Sequence, residues 1–399
     1  MPFNFIAQSL KTRRKQGLYR EQTTISRYEQ QCVVVENKRY VNFSGNDYLG
    51  LAQPAQPTQL DQSTQLDKSS VAQGSSGSPV VTGYSRAHRQ LCDKLAEQCN
   101  REAVLLFNSG FAANAGVCQA LGNEGQSRFF CDRLVHASMI DGVLASRGKF
   151  SRFRHNDTAH LAKQLAKATD HKSQDTLILT EGVFSMDGDR APVTDLVVLA
   201  EQHQAALYLD DAHGFGILGE NGLGSVEHYD LSQQQLPILM ATFGKALGAS
   251  GAFVAGSREL IDYLRNFCRH YIYSTALSPA LVTQIQHNLQ ACQTQTWRRD
   301  KLNNNIALFK HLMTNCNLAL LPSSSPIQPI VIGSSERAST MAQSLRELGY
   351  WVTAIRYPTV PKHTDRLRIT LSSLHEKQDI ENLVNAIFSV IDNVERDNP

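Results

Sequence analysis

The sequence predicts an α/β protein: a large domain with a mostly parallel central sheet flanked by helices, then a smaller C-terminal α/β domain. Two observations predict it. Short apolar runs stop repeatedly at polar or glycine-rich residues: "AVLLF" at "NSGFAANAG", "TLILT" at "EGVFSMDGD", "AALYLD" at "DAHGFG" and "PILMATF" at "GKALG". Between them lie stretches with helical spacing, such as "HLAKQLAKAT" and "VTDLVVLAEQHQ". Glu181, Asp210 and Lys245 follow one another at intervals of about thirty residues, room for a strand–helix–strand crossover. In an open parallel sheet, ligands collect beyond the carboxyl ends of the strands, where these polar residues would sit.

The elements follow in order. "FNFIAQSLKTRRKQG" reads as a helix, and "CVVVENKRYVNF" as two strands around a charged turn. The proline- and glutamine-rich stretch that follows begins with Pro54 and Pro57, which discourage a regular helix there. The strand–helix alternation of the middle fills the large domain. After "YIYSTALSPA" a polar helical region, residues 281–315, leads away from that sheet. Then come "IQPIVIG", a helix through "RASTMAQSLRELG", "YWVTAIR", "DRLRITL" and a final helix. The expected organisation is an N-terminal helix and hairpin (1–50), a large domain (51–289) and a small domain (290–399).

Composition bounds the function. Apolar residues make up 42%, enough for sizeable cores, and 39 basic against 37 acidic residues give no polybasic surface for nucleic acid or lipid. There is no signal-peptide pattern and no membrane-length apolar run, so a cytoplasmic location is expected. Eight cysteines without a CxxC pair read as scattered thiols.

The candidate chemistry centres on "YLDDAHG" and "TFGKALG". Alone, the Asp-x-x-His cluster fits a metal site, a hydrolytic relay or a structural network. A further metal ligand at helical spacing is missing, so no metal is expected, and neither the zinc-protease signature nor the serine nucleophile elbow is present. Lys245 sharpens the choice: a desolvated lysine lowers its pKa and forms a Schiff base with a carbonyl compound. An aldehyde cofactor would use the rest. Asp210 could hold a pyridine nitrogen protonated, His213 could meet a phenolic oxygen, and His136 could lie over the ring. The turn "NSGFAANAG" offers free N–H groups and a helix dipole to a phosphate, with Thr242 adding a hydroxyl; it is neither a Walker A loop nor a dinucleotide fingerprint.

"FSGNDYLG", "FNSGFAAN", "DRLVHASMIDG", "TEGVFSMDGD", "LDDAHGFG", "TFGKALG" and "IYSTALSP" stand in an order and spacing that resemble the α-oxoamine synthases, pyridoxal-phosphate transferases of fold type I. The resemblance runs from "GLYR" to "RLRITL". It implies pyridoxal 5'-phosphate on Lys245, Asp210 at the pyridine nitrogen, His213 at the phenolic oxygen and His136 stacked on the ring. Ser185 would lie near the cofactor oxygen, in the same motif region as Glu181. Gly110, Phe111 and Thr242 would cradle the phosphate, joined by Ser274 and Thr275 from a neighbouring subunit of a homodimer with shared sites. Arg368 would grip the amino-acid carboxylate, a task suited to the planar guanidinium fork. Arg20, Asn46, Arg356 and Thr359 would lie on the substrate side.

The resemblance further implies decarboxylative condensation of L-alanine with a pimeloyl thioester, on CoA or a carrier protein, in biotin biosynthesis. Glycine with acetyl-CoA, or the substrate pair of another α-oxoamine synthase, is the alternative; a non-catalytic interaction protein on the same fold is the alternative from another class. Two positions depart from the family pattern: Phe215 after "DAHG", and Pro79 in "GSSGSPVVTGYS".

Overall fold

The N-terminal segment forms the expected helix, Phe5–Lys15, then strands β1 (Arg27–Glu29), β2 (Cys32–Val35) and β3 (Lys38–Asn42). The β2–β3 hairpin turns through Glu36 and Asn37, both at positive φ, the left-handed pair that matches strand twist. The computed structural model describes residues 3–53, 72–168 and 175–397, so the expectation for Pro54 and Pro57 lies outside the described residues.

Seven strands build the large sheet: β4 (Ala103–Phe107), β5 (Arg128–Asp132), β6 (Lys149–Phe153), β7 (Thr176–Glu181), β8 (Ala206–Asp210), β9 (Ile238–Thr242) and β10 (Ala252–Gly256). Their order is β4-β10-β9-β8-β7-β5-β6. All pairs are parallel except those of β10, which runs antiparallel between β9 and β4. The sheet is therefore mostly parallel, and the carboxyl ends of β4, β9, β8, β7 and β5 open on one edge. Alternate residues feed two cores: Leu207 and Leu209 join one, Tyr208 the other, so these strands are buried on both faces. That is why β4, β7, β8 and β9 read as continuous apolar runs. β5, β6 and β10 escaped the sequence reading because the apolar run of β5 is only three residues between charged ends, charge interrupts β6, and alanine and glycine dilute β10.

The expected helical region at 281–315 is two helices, Pro279–Thr294 and Trp297–Leu312, separated at Gln295 and Thr296. Beyond them come β11 (Ala319–Leu320), β12 (Ile327–Val331), β13 (Tyr350–Trp351), β14 (Thr353–Ile355) and β15 (Arg366–Thr370), with helices Ser335–Glu347 and Lys377–Asp397. Four of these strands form the sheet β11-β12-β15-β14, while β13 pairs with β3. The N-terminal hairpin is thereby tied to the C-terminal region. Thr370 donates its N–H to Phe43 O (2.8 Å) and Ser373 to Tyr48 O (2.8 Å), which lays residues 43–48 beside β15. No helix among the described residues is long and apolar enough to cross a membrane.

Candidate active site

Asp210 ends β8 and is buried. Its Oδ2 accepts Asn114 Nδ2–H at 2.7 Å and its Oδ1 accepts the N–H of Ala212 at 2.9 Å. Asn114 is itself held by Tyr208, whose hydroxyl donates to Asn114 Oδ1 at 2.7 Å, and it reaches Ser138 Oγ at 3.0 Å. Its hydrogen-bond partners among the described residues are all neutral.

His136 caps the helix Ala137–Leu144. Its Nδ1 accepts the Ser138 N–H (3.2 Å) and lies 2.7 Å from Ser138 Oγ, which assigns the remaining proton of the neutral ring to Nε2. Burial first, then the Lys245 charge, lower its pKa against the pull of Asp210. Buried His213 sits 2.7 Å through Nδ1 from the Tyr48 hydroxyl. Its pKa falls well below the usual value, chiefly by burial and then by Lys245 and Arg368, so it is neutral.

Lys245 follows β9 on a tight turn. Gly248, at positive φ, approaches the backbone of Leu51 and Ala52 so closely that a side chain there would overlap it. This accounts for the small residues around the lysine: they let the turn sink against the neighbouring segment. Burial lowers the Lys245 pKa to about 8, with Arg368 adding to it, while Asp210 and Glu181 pull the other way. No described residue hydrogen-bonds its Nζ. Glu181, buried at the end of β7, is raised well above the carboxylate range by burial and by Asp210, and its Oε1 has no partner.

The helix Gly110–Leu121 starts at the same sheet edge. Ser109 caps it, taking the N–H of Ala112 on its Oγ (3.1 Å) and that of Ala113 on its carbonyl (3.0 Å). The N–H groups of Gly110 and Phe111 keep no partner among the described residues, leaving an anion cradle at the positive helix end. Thr242 lies beside Gly110, but its hydroxyl already donates to Gly251 O (2.8 Å). Phe111 meets the His136 ring edge-on at 6.3 Å between centroids. Ser274 donates to His270 O (2.6 Å), and Thr275 O accepts Asn108 Nδ2–H (2.6 Å), so both stand beside the loop that enters this helix.

Arg368 is buried in β15 with only neutral partners: Ser185 O at 2.8 Å, Thr370 Oγ1 at 3.0 Å and Asn46 Oδ1 at 3.5 Å. A buried guanidinium without a carboxylate is costly, and that cost points to an anionic ligand. The segment around Ser185 is braced twice more. Asp187 pairs with Arg366 at 2.6 Å, and His155 spans Asp132 and Asp189 at 2.9 Å each. His155, Asp187 and Asp189 lie within 4.8 Å of one another, but Arg366 and His155 already answer those two carboxylates.

Three expected residues are not brought to this cluster. Arg20 is exposed and makes no described contact with it. Arg356 turns to Ser339 (3.2 Å) and lines a separate groove of about 840 Å³ with Lys38 and Arg346. Thr359 sits exposed on the turn behind it, its N–H donated to Arg356 O (2.9 Å). Phe215 packs edge-on against Phe253 in the core, and Pro79 lies on a partly exposed turn beside Tyr84 and Thr275. Conversely, the sequence reading passed over Tyr48, Asn114 and Ser138, and between Asp210 and Asp211 at the strand exit it gave a role only to Asp210. Asn114 had a signal: a lone amide in a helix turn of small apolar residues.

Residues 38–387 match the class I and II aminotransferase family. The 8-amino-7-oxononanoate synthase of Saccharophagus degradans is 47% identical over 89% of this chain and 88% of its own. The enzyme of that name from Francisella tularensis superposes with a TM-score of 0.73 at 29% identity, covering 89% of this chain and 99% of its own. A serine palmitoyltransferase solved with PLP superposes at 0.88, 25% identical, over 99% and 98% of the two chains. The chain belongs to the class I and II aminotransferase family, among the 8-amino-7-oxononanoate synthases.

Proposed function

We propose that this chain binds pyridoxal phosphate and condenses L-alanine with a pimeloyl thioester, yielding 8-amino-7-oxononanoate, carbon dioxide and the free thiol carrier for biotin biosynthesis. One observation carries the reading: a desolvated amine, a buried carboxylate and a free helix N-terminus share one sheet edge with a guanidinium that lacks an anion. When bound, pyridoxal phosphate supplies an aldehyde that captures amines and a ring that stabilises negative charge on the neighbouring carbon.

The chain's residues divide the remaining work. Lys245 Nζ would hold the cofactor and would be the base that takes and returns the α-proton of the amino acid; with its pKa near 8 it exchanges protons readily at neutral pH. Asp210 keeps the ring nitrogen protonated. Neutral His213 donates from Nε2 to the phenolic oxygen, with Ser185 near it. His136 would help hold the ring, with Nε2–H available to the thioester carbonyl oxygen. The N–H groups of Gly110 and Phe111 would hold the phosphate, with Thr242 beside Gly110.

Arg368 grips the alanine carboxylate, and Asn46 borders the same space. Arg20, Arg356 and Thr359 serve the acyl donor farther out. Exposed Val80, Val81, Tyr84, Phe111 and Tyr273 support a homodimer in which the partner subunit's Ser274 and Thr275 complete the phosphate site. The enzyme works in the cytoplasm.

Product formation from alanine or glycine with pimeloyl-CoA, pimeloyl-carrier protein and acetyl-CoA tests the assignment. Alanine with a pimeloyl donor should dominate; faster turnover of glycine with acetyl-CoA would overturn the substrate choice. Borohydride reduction followed by mass spectrometry should place the pyridoxyl group on Lys245.

A further inference from the structure

Asp211 neighbours Asp210 in sequence, yet its carboxylate is spent elsewhere. It is fully buried. Oδ2 accepts the Ser225 N–H at 2.6 Å and Oδ1 accepts the Ser225 hydroxyl at 2.7 Å. Three glycines wall it in. A Cβ on Gly182, Gly214 or Gly224 would lie well inside 3.0 Å of an Asp211 carboxylate oxygen. Gly224 also has a positive φ, but Gly182 and Gly214 do not, so at those two positions close packing against this carboxylate, rather than backbone conformation, disfavours a side chain.

The three glycines belong to three chain segments, two of which carry site residues. Gly182 follows Glu181 and donates its N–H to Asp210 O at 2.8 Å. Gly214 follows His213 and donates its N–H to Asp211 O at 3.0 Å. Gly224 leads into Ser225, the clasp itself. Burial pushes the Asp211 carboxyl up to about 7 despite both Ser225 hydrogen bonds, with Asp210 adding to the rise. Keeping an acid in so unfavourable a place needs a compensating gain.

We propose that Asp211 is a positioning residue: clasped by Ser225 and packed against three glycines, it locks together the strand exits that carry Glu181, Asp210 and His213. Among the described residues its carboxylate hydrogen-bonds Ser225. The inference rests on the roles proposed above for Asp210 and His213, but the clamp itself does not.

Two measurements on the holoenzyme test it. The first is a stability cycle. Gly214→Ala should lower Tm by about 5 °C in the wild type but by less than about 2 °C in an Asp211→Ser background, where the shortened side chain admits the methyl. Additive losses would overturn the clamp whatever the enzyme catalyses. The second is kinetic. Asp211→Asn keeps the shape and can keep both bonds, its Oδ1 accepting from Ser225 N–H and its amide donating to Ser225 Oγ. It should hold kcat per cofactor-loaded site within about threefold, whereas Asp211→Ser should lose about a hundredfold with the alanine KM little changed, as misplacement by about 1 Å does. An Asn variant as impaired as Ser, or a Ser variant with wild-type kcat, would overturn positioning.

Discussion

Replacing His155 with glutamine should make the stability curve flatter at alkaline pH, and the size follows from the geometry. Both ring nitrogens stand 2.9 Å from a carboxylate, Nδ1 from Asp132 and Nε2 from Asp189. Only the imidazolium donates to both. Burial opposes the charged ring, but the hydrogen bonds and charges of the two aspartates prevail and raise its pKa from 6.5 to about 10. That difference corresponds to an upper limit of about 5 kcal/mol. The ring is 23% exposed, and solvent screening reduces the expected contribution to about 3 kcal/mol.

The sign is set by a folded pKa above the unfolded one. The contribution is complete below about pH 6.5 and is lost as pH rises through about 10, on average about 0.9 kcal/mol per pH unit. Urea unfolding of wild type and His155→Gln at fixed cofactor concentration, from pH 6 to 10.5, measures it. The gap should be about 3 kcal/mol at pH 6 and close by pH 10.5. A gap that stays constant across that range would refute an imidazolium at His155. Because the ring also anchors the loop whose Ser185 carbonyl accepts from Arg368, the alanine KM should rise over the same alkaline range.

Lys245→Ala should abolish turnover by at least about ten-thousandfold, because the covalent anchor and the base leave together; single-turnover product analysis reads this. Asn114→Ala should lower kcat about tenfold and weaken cofactor retention, since it strips Asp210 of a 2.7 Å donor; dialysis followed by absorbance measures the loss. Arg368→Gln should raise the alanine KM about a hundredfold. In cofactor-free protein it should also raise the Lys245 pKa above 8, readable as the pH dependence of amine acylation by mass spectrometry.

The parallel sheet and its functional edge were legible because burial on both faces forces unbroken apolar runs, and such runs end visibly. Lys245 was legible because small residues on both sides mark a turn that sinks into the structure, as Gly248 does against Ala52. What escaped depended on distant pairing. Nothing local announces that β13 joins β3, or that this pairing lays Asn46 and Tyr48 beside Arg368. The role of Asp211 was hidden by its neighbour: a paired acid reads as one functional residue and a spare until Ser225 and the glycine walls are seen around it.

The charges of the site make one further point about how it works. Lys245 is lowered to about 8 by burial and by Arg368, and raised by Asp210 and Glu181. The Arg368 charge is the variable member, because its partners in the structure are all neutral. A carboxylate arriving at that guanidinium cancels the charge that depresses the amine. On the roles proposed for Arg368 and Lys245, the event that orients the amino acid would also make Lys245 a stronger base. Asp210 cannot vary in this way, being held by Asn114 and by Ala212 N–H. On that proposal, a fixed charge at Asp210 would serve the cofactor and a responsive one at Arg368 would sense the substrate. It needs no moving part: the coupling is electrostatic, between two buried groups.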